Sequence, residues 1–329
     1  MKTHAVLKAL AVGLIAFAQA QIGPLLPEVD PAPPRPAWIQ PGLTVTFGDE
    51  TGQSAVAYLV TRVGPTSAYG LSFRLGYTDA GPSLEVKAGA LYQAGSGPLY
   101  VAPEAVASMV NRPPPGVHVL SGPGMIGWEI DDAAGVSKYA VRYDAESGAV
   151  LEMNGSYTAP GEVGPRRSSA FHFLRLAVEQ AAWKPLATFP PAARHAAHYQ
   201  VFYTLTGGTS PGGTFTVTPE RLGPNLASYR VLASEVGSPG QTTEEQGVPA
   251  LGPHYLHPDL LDLGTVFSFP SIGLSLEAAG SGPNGGALLV FYAGGSGFES
   301  LEIDPASGLL LEERVAYPGI GTVVYHWVP

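Results

Sequence analysis

Cysteine is absent from all 329 residues. Its absence removes disulfides, thiolate nucleophiles and zinc–thiolate sites together, so the fold must rest on its core. About 300 residues can supply one, because chains of that size bury roughly three quarters of their unfolded surface. Basic charge is also scarce, with 17 Lys and Arg against 27 Asp and Glu. That balance argues against nucleic acid or anionic lipid as a partner, since both are bound through basic patches that displace counterions. Long apolar runs are missing too. The one clear run, Ala9 to Phe17, falls well short of the roughly 18 residues a spanning helix needs.

That run has a function of its own. Lys2 and Lys8 precede or border it, and Ala18-Gln19-Ala20 follows with small residues where a signal peptidase requires them. Residues 1–20 therefore read as a cleaved signal peptide. The expected destination is outside the inner membrane: periplasm, cell surface or medium, with no transmembrane helix in the mature chain. Residues 21–41 carry Pro24, Pro27, Pro31, Pro33, Pro34, Pro36 and Pro41 and read as a semi-rigid extended leader.

What the sequence has in abundance is glycine (42), proline (32) and β-branched or aromatic residues, with only 13% charged. This composition predicts short strands joined by tight turns, an all-β chain. Partly alternating runs over Ser54–Arg62, Tyr69–Tyr77, Ile126–Ile130 and Lys138–Tyr143 are the clearest strands.

The sequence also repeats itself. Leu43-Thr44-Val45-Thr46-Phe47 corresponds to Tyr199-Gln200-Val201-Phe202-Tyr203, and Arg62-Val63-Gly64-Pro65 to Arg221-Leu222-Gly223-Pro224. The stretch from Gly97 to Glu104 corresponds to Gly252 to Asp259, and Asp144 to Glu152 to Asp304 to Glu312. Phe171-His172-Phe173 closes the series against Tyr325-His326-Trp327. These anchors keep their order at offsets between 154 and 160 residues. The reading is a tandem duplication of a β-rich unit, with roughly 7–8 short strands and a short helix in each copy, shaped as a sandwich or half-barrel. Residues 42–176 form repeat 1, 177–198 a connection with a helical turn near Glu179–Ala182, and 199–329 repeat 2. The Asp-x-x-Ser-Gly segment predicts a hairpin loop, with Gly148 or Gly308 at positive φ. Pro103-Glu104 and Pro258-Asp259 read as helix starts. Over about ten residues per repeat, the hairpin and its Leu-rich return strand resemble turns of exported bacterial β-proteins, lipoprotein-carrier-like half-barrels among them.

Candidate chemistry is sparse. His195-x-x-His198 and His254-x-x-His257 have helix-face spacing, but both lie in Pro-rich segments without a completing acid, so no metal or other cofactor is expected. Gly208-Thr209-Ser210-Pro211-Gly212 imitates a nucleophile elbow, yet Pro211 has no N–H and a strand follows. His172 and His326 recur between aromatics, and a strand turns such a histidine away from its flanking rings. Together with Tyr100 and Tyr255, which also recur, they are the candidate ligand-binding residues. Tyr139 and Tyr143 do not recur: Glu299 and Ile303 take their places. Glu152 and Glu312 recur just after the hairpin, where solvated strand residues are expected. The leading expectation is a non-enzymatic envelope or secreted protein whose two homologous β domains bind an apolar or saccharide ligand, with lipid, saccharide or a second copy as partner. A hydrolase of extracellular polymers is the alternative; it needs two carboxylates, or one with His172 or His326, converging in a pocket. An outer-membrane β-barrel is the third reading.

Overall fold

Strands dominate because the chain alternates inward and outward side chains between glycine- and proline-marked turns. A computed structural model describes residues 31–329 except 79–80, 114, 133–134, 160–166, 206–207, 239 and 318–319. The expected signal peptide and most of the leader, residues 1–30, lie outside the described residues.

The first half begins with a meander of β1 (Leu43–Gly48), β2 (Ser54–Val63), β3 (Ser67–Thr78) and β4 (Gly81–Gln93). Helix α1 (Pro103–Asn111) crosses over to a second meander, β5 (Val117–Gly122), β6 (Met125–Asp132), β7 (Gly135–Tyr143), β8 (Val150–Ala159) and β9 (Arg167–Gln180). Because β9 returns to pair with β1, one antiparallel sheet of order β4-β3-β2-β1-β9-β8-β7-β6-β5 results.

The second half follows the same plan. Its first meander is β10 (Ala197–Leu205), β11 (Gly208–Leu222), β12 (Ala227–Glu235) and β13 (Gln241–Gly247). A small ribbon, β14 (Leu251–Gly252) with β15 (Tyr255–Leu256), leads into β16 (Thr265–Phe269), β17 (Leu274–Ser281), β18 (Ala287–Ala293), β19 (Ser296–Ile303), β20 (Leu310–Tyr317) and β21 (Gly321–Val328). The last strand pairs with the first, giving the order β13-β12-β11-β10-β21-β20-β19-β18-β17-β16.

The fold is mostly β, as expected, but the sheets have nine and ten strands. Extra strands come from regions whose alternation is weak, such as β13 (Gln241–Gly247), which is largely exposed. The Pro-acid segment starts a true helix only in the first half. Its second-half counterpart is a single 3-10 turn, Pro258–Leu260. The connection is also shorter than expected. Ala177 to Gln180 continue β9 against β1, because pairing with Thr46 to Leu43 satisfies their backbone, and the helical turn falls at Pro191–Arg194 instead. The end of the leader is docked rather than free: Arg35 N donates to Pro65 O at 2.8 Å, and Ile39 is fully buried. Neither sheet is closed into a barrel, and among the described residues no helix is long and apolar enough to cross a membrane. A spanning barrel needs a closed sheet, and neither sheet is one.

The hairpins between β7 and β8 and between β19 and β20 are built alike. Gly148 N donates to Asp144 O at 2.7 Å and Gly308 N to Asp304 O at 2.8 Å, while each Asp carboxylate accepts from the Ser147 or Ser307 backbone N–H and hydroxyl. Gly148 has φ 71° and Gly308 φ 79°, and a Cβ at either would meet Tyr100 Cε2 at 2.2 Å or Leu256 O at 2.4 Å. Both positions require glycine for conformation and for space. Each hairpin also carries its register shift at the same place, Arg142/Tyr143 and Glu302/Ile303. These matching registers equate Tyr139 with Glu299, Val141 with Leu301, and Met153 with Glu313.

Among the described residues three buried clusters result, the smallest around Tyr229 and Tyr255 in the second half, and the largest is shared by both halves. On β2, Val56, Tyr58 and Val60 face the first half's own core with Phe47, Tyr92 and Met109. Ala57 and Leu59, on the other face, join Leu71 and Phe73 of β3 in a cluster completed by second-half residues such as Phe267, Phe269 and Leu276. Phe73 sits 5.2 Å from Phe267 and 4.8 Å from Phe269, centroid to centroid. Burial on both faces explains why Ala55 to Val60 is a continuous apolar run rather than an alternating one.

Candidate functional site

The inner face of the second sheet is laid down by alternation along three neighbouring strands. Register sets Glu299 of β19 across from Val315 of β20, Leu301 across from Glu313, and Glu313 across from Tyr325 of β21. All of these side chains therefore share one face. That face borders a cavity of about 290 Å³. Ser83, Leu84 and Val86 of β4 also line it, as does the β14–β15 ribbon with Tyr255. The cavity thus lies where the two halves meet, a common place for a small-molecule pocket, and its size is at the lower end of such pockets.

Its polar groups are unusual for a wall made mostly of Leu, Ile, Val and aromatic rings. Burial raises the Glu313 carboxyl to about 7, and burial together with the neighbouring Glu313 pushes Glu299 well above the usual carboxylate range. Tyr317 and Tyr325 are raised as well, first by burial and then by these acids. Among the described residues no Lys, Arg or His lines the cavity. Two partly buried carboxyls on one wall, with no cation among the described lining residues, each favour the protonated form more than a free carboxyl does.

Other acids on the same strands are satisfied. Glu302 accepts from Asn284 N at 2.7 Å, Asn284 Nδ2 at 2.9 Å and Gly286 N at 2.9 Å. Glu312 is held by Arg314 Nε at 2.5 Å and His326 Nδ1 at 3.0 Å. Glu299 and Glu313 have no hydrogen-bond or ion-pair partner among the described residues.

The residues singled out from the sequence fall in three places. Tyr255 is buried, donates its hydroxyl to Val248 O at 2.9 Å, and lines the cavity. Tyr100 packs in the first half's core, edge-on to Trp38 and Tyr92. His172 and His326 turn away from their flanking rings and meet the two recurrent glutamates. His172 Nε2 lies 2.8 Å from Glu152 Oε1, whose other oxygen takes Arg142 Nε at 2.8 Å. His326 stands directly across from Glu312, whereas His172 stands across from Asn154, two residues along. The imidazoles of both His–Glu–Arg groups are over 40% exposed, but Glu312, expected as a solvated strand residue, is buried beneath Arg314 and His326.

His254 is buried where the first half has Leu99. Its Nε2–H donates to Ala192 O at 2.9 Å, and Nδ1 has no partner among the described residues. Burial lowers its pKa to about 4, so it is a neutral core residue. Among the described residues no group of three or more His, Cys, Asp or Glu is arranged to hold a metal. Ser210 lies within strand β11, across from Tyr203.

Sequence reasoning passed over Glu299 and Glu313. The replacement of Tyr139 by Glu299 is visible in the repeat alignment, and Glu313 in place of Met153 would have followed from extending the hairpin anchor by one residue. An acid at two positions that the sister repeat fills with apolar side chains is the signal.

No family model and no curated protein matches the sequence. A solved structure of a DUF3598-family protein of unknown function from Nostoc punctiforme is similar at 6% identity, over 88% of this chain and 96% of that one. Its TM-score of 0.17 carries no argument about fold or function.

Proposed function

We propose that this protein is an exported, non-enzymatic binding protein that holds one small amphiphilic molecule in the cavity between its halves. The observation that carries the reading is the pair of unpartnered carboxyls, Glu299 and Glu313, in an otherwise mostly apolar wall of about 290 Å³. Partly buried acids whose charged form burial disfavours cost stability, and a bound polar group would offset that cost. The test is native mass spectrometry of the protein purified from its own host without detergent. A mass adduct that leaves on denaturation is the expected result. A bare protein that takes up no small molecule from a host extract would remove this reading.

A second reading rests on the same pair. Two carboxyls lining one pocket support a hydrolase of glycosidic bonds, one acting as acid and the other as base or nucleophile. Turnover of chromogenic glycosides that disappears in Glu299→Gln and Glu313→Gln would favour it over simple binding.

A further inference from the structure

We infer that the cavity is built for a primary amine on a short apolar or aromatic body, its ammonium seated between Glu299 and Glu313. This inference rests on the cavity-binding reading and narrows it to a ligand class. The two carboxyls are on one face of adjacent strands and open into the same space. The remaining acids of this hairpin already have partners: Glu302 has Asn284 and Gly286, and Glu312 has Arg314 and His326. What the cavity lacks is therefore a cation, and none of the described residues of its walls supplies one.

Other ligand classes fit less well. An anionic molecule would meet two like charges in a poorly solvated space. A purely apolar molecule would cover the carboxyls and leave them unpaired. A saccharide brings hydroxyls but no charge, and offers little to the apolar wall formed by Leu251, Leu301 and Val315. An ammonium meets both carboxylates with charge-assisted hydrogen bonds, and the rings of Phe291, Tyr317 and Tyr325 line the same cavity, where an aromatic face attracts a cation. The carbon part of the molecule then fills the space against the β4 side chains. When the ammonium enters, a carboxyl that burial keeps protonated gives its proton to solvent, so binding should release up to about one proton.

The experiment is isothermal titration of the full chain at pH 7.5 with 2-phenylethylamine and, in parallel, 2-phenylethanol, which has the same shape without the charge. The amine should bind about tenfold or more tightly than the alcohol, the scale of one charge-assisted contact. Repeating the titration in two buffers of different ionisation heat should show proton release for the amine and none for the alcohol. In the double variant Glu299→Gln, Glu313→Gln, checked for native circular dichroism, the preference should vanish while alcohol binding stays. Equal affinity for the two probes, or a preference that survives the double variant, overturns the amine inference. A neutral apolar fluorophore separates the two levels of the argument. Its uptake without amine binding keeps the cavity reading and removes the amine, whereas no uptake of any probe removes both.

Discussion

The two hairpins that follow Tyr139 and Glu299 share their loop bonds, their glycines and their register shift, yet their inner faces have opposite characters. In the first half, Tyr139 stacks on Trp128 at 5.8 Å and Met153 is 1% exposed in a packed core. In the second half the same positions are Glu299 and Glu313, and a cavity stands in front of them. Backbone geometry was kept while side-chain chemistry changed. Two acids on one partly buried face are an expensive choice, so their presence points to a use rather than to packing.

The sharpest way to break this comparison is to write the second half's chemistry into the first. Met153→Glu puts a carboxyl into the packed first-half core, where Met153 is 1% exposed, and should cost about 3–5 kcal/mol, as a buried uncompensated charge does. Chemical denaturation at pH 8 measures it. A loss below about 1 kcal/mol would mean the first half has room for an acid too, and the contrast between the halves would collapse.

The next largest effect concerns His254, which the first half replaces with Leu99. Its folded pKa of about 4 lies below the usual value of 6.5, so the unfolded chain binds the extra proton as pH falls. The histidine's contribution is therefore fully present above about pH 6.5 and is lost progressively down to about pH 4. The whole step is up to about 3 kcal/mol. In His254→Leu the stability difference from the parent should shift in the variant's favour by that amount between pH 7 and pH 4. A constant difference across that range would show that His254 is accessible to protons in the folded state.

The acids behave with the opposite sign. A folded pKa raised to about 7 means that the native state holds its proton longer than the unfolded chain. Stability is therefore greatest below the ordinary carboxylate range and falls as pH rises from about 4.5 to about 7. Glu313→Gln removes that loss. It should stabilise the protein at pH 8 by about 1–2 kcal/mol, discounted because the side chain reaches the cavity, and should leave stability at pH 4 unchanged. Thermal melts at the two pH values decide it: equal shifts at both would mean the carboxyl is not strained by its site.

How much of this was legible in the sequence follows from which features are local. The twin hairpins are local, because Asp, Ser and Gly four residues apart define the loop wherever it occurs, and they exposed the duplication. The strand over Ser54–Arg62 is legible too, but not that Ala57 and Leu59 belong to a core shared with Phe267 and Phe269. Periodicity reports that both faces are apolar and cannot name what covers the second one. The cavity needed register. Whether an acid on a strand faces in or out turns on a single residue, and the bulge at Glu302/Ile303 that settles it leaves no mark in composition. The docked leader was read as a spacer because proline predicts extension equally well for bound and free chain.

The smallest expected effects lie on the wetter face, and they test whether the cavity and not the recurrent histidines is the functional surface. His172 and His326 recur, and recurrence alone made them candidates; what they share in three dimensions is a glutamate that also holds an arginine. Removing either imidazole leaves Glu152 with Arg142 and Glu312 with Arg314, so neither carboxylate is stranded. The imidazoles are over 40% exposed, although Glu312 itself is buried, and a pair with so screened a partner contributes at most about 1 kcal/mol. His172→Ala and His326→Ala should therefore each destabilise by less than that and by nearly the same amount, despite the two-residue difference in register. Neither should alter binding of 2-phenylethylamine. If His326→Ala abolished it while the protein stayed folded, the binding face would be the outer one, and the acids on the inner face would need another explanation.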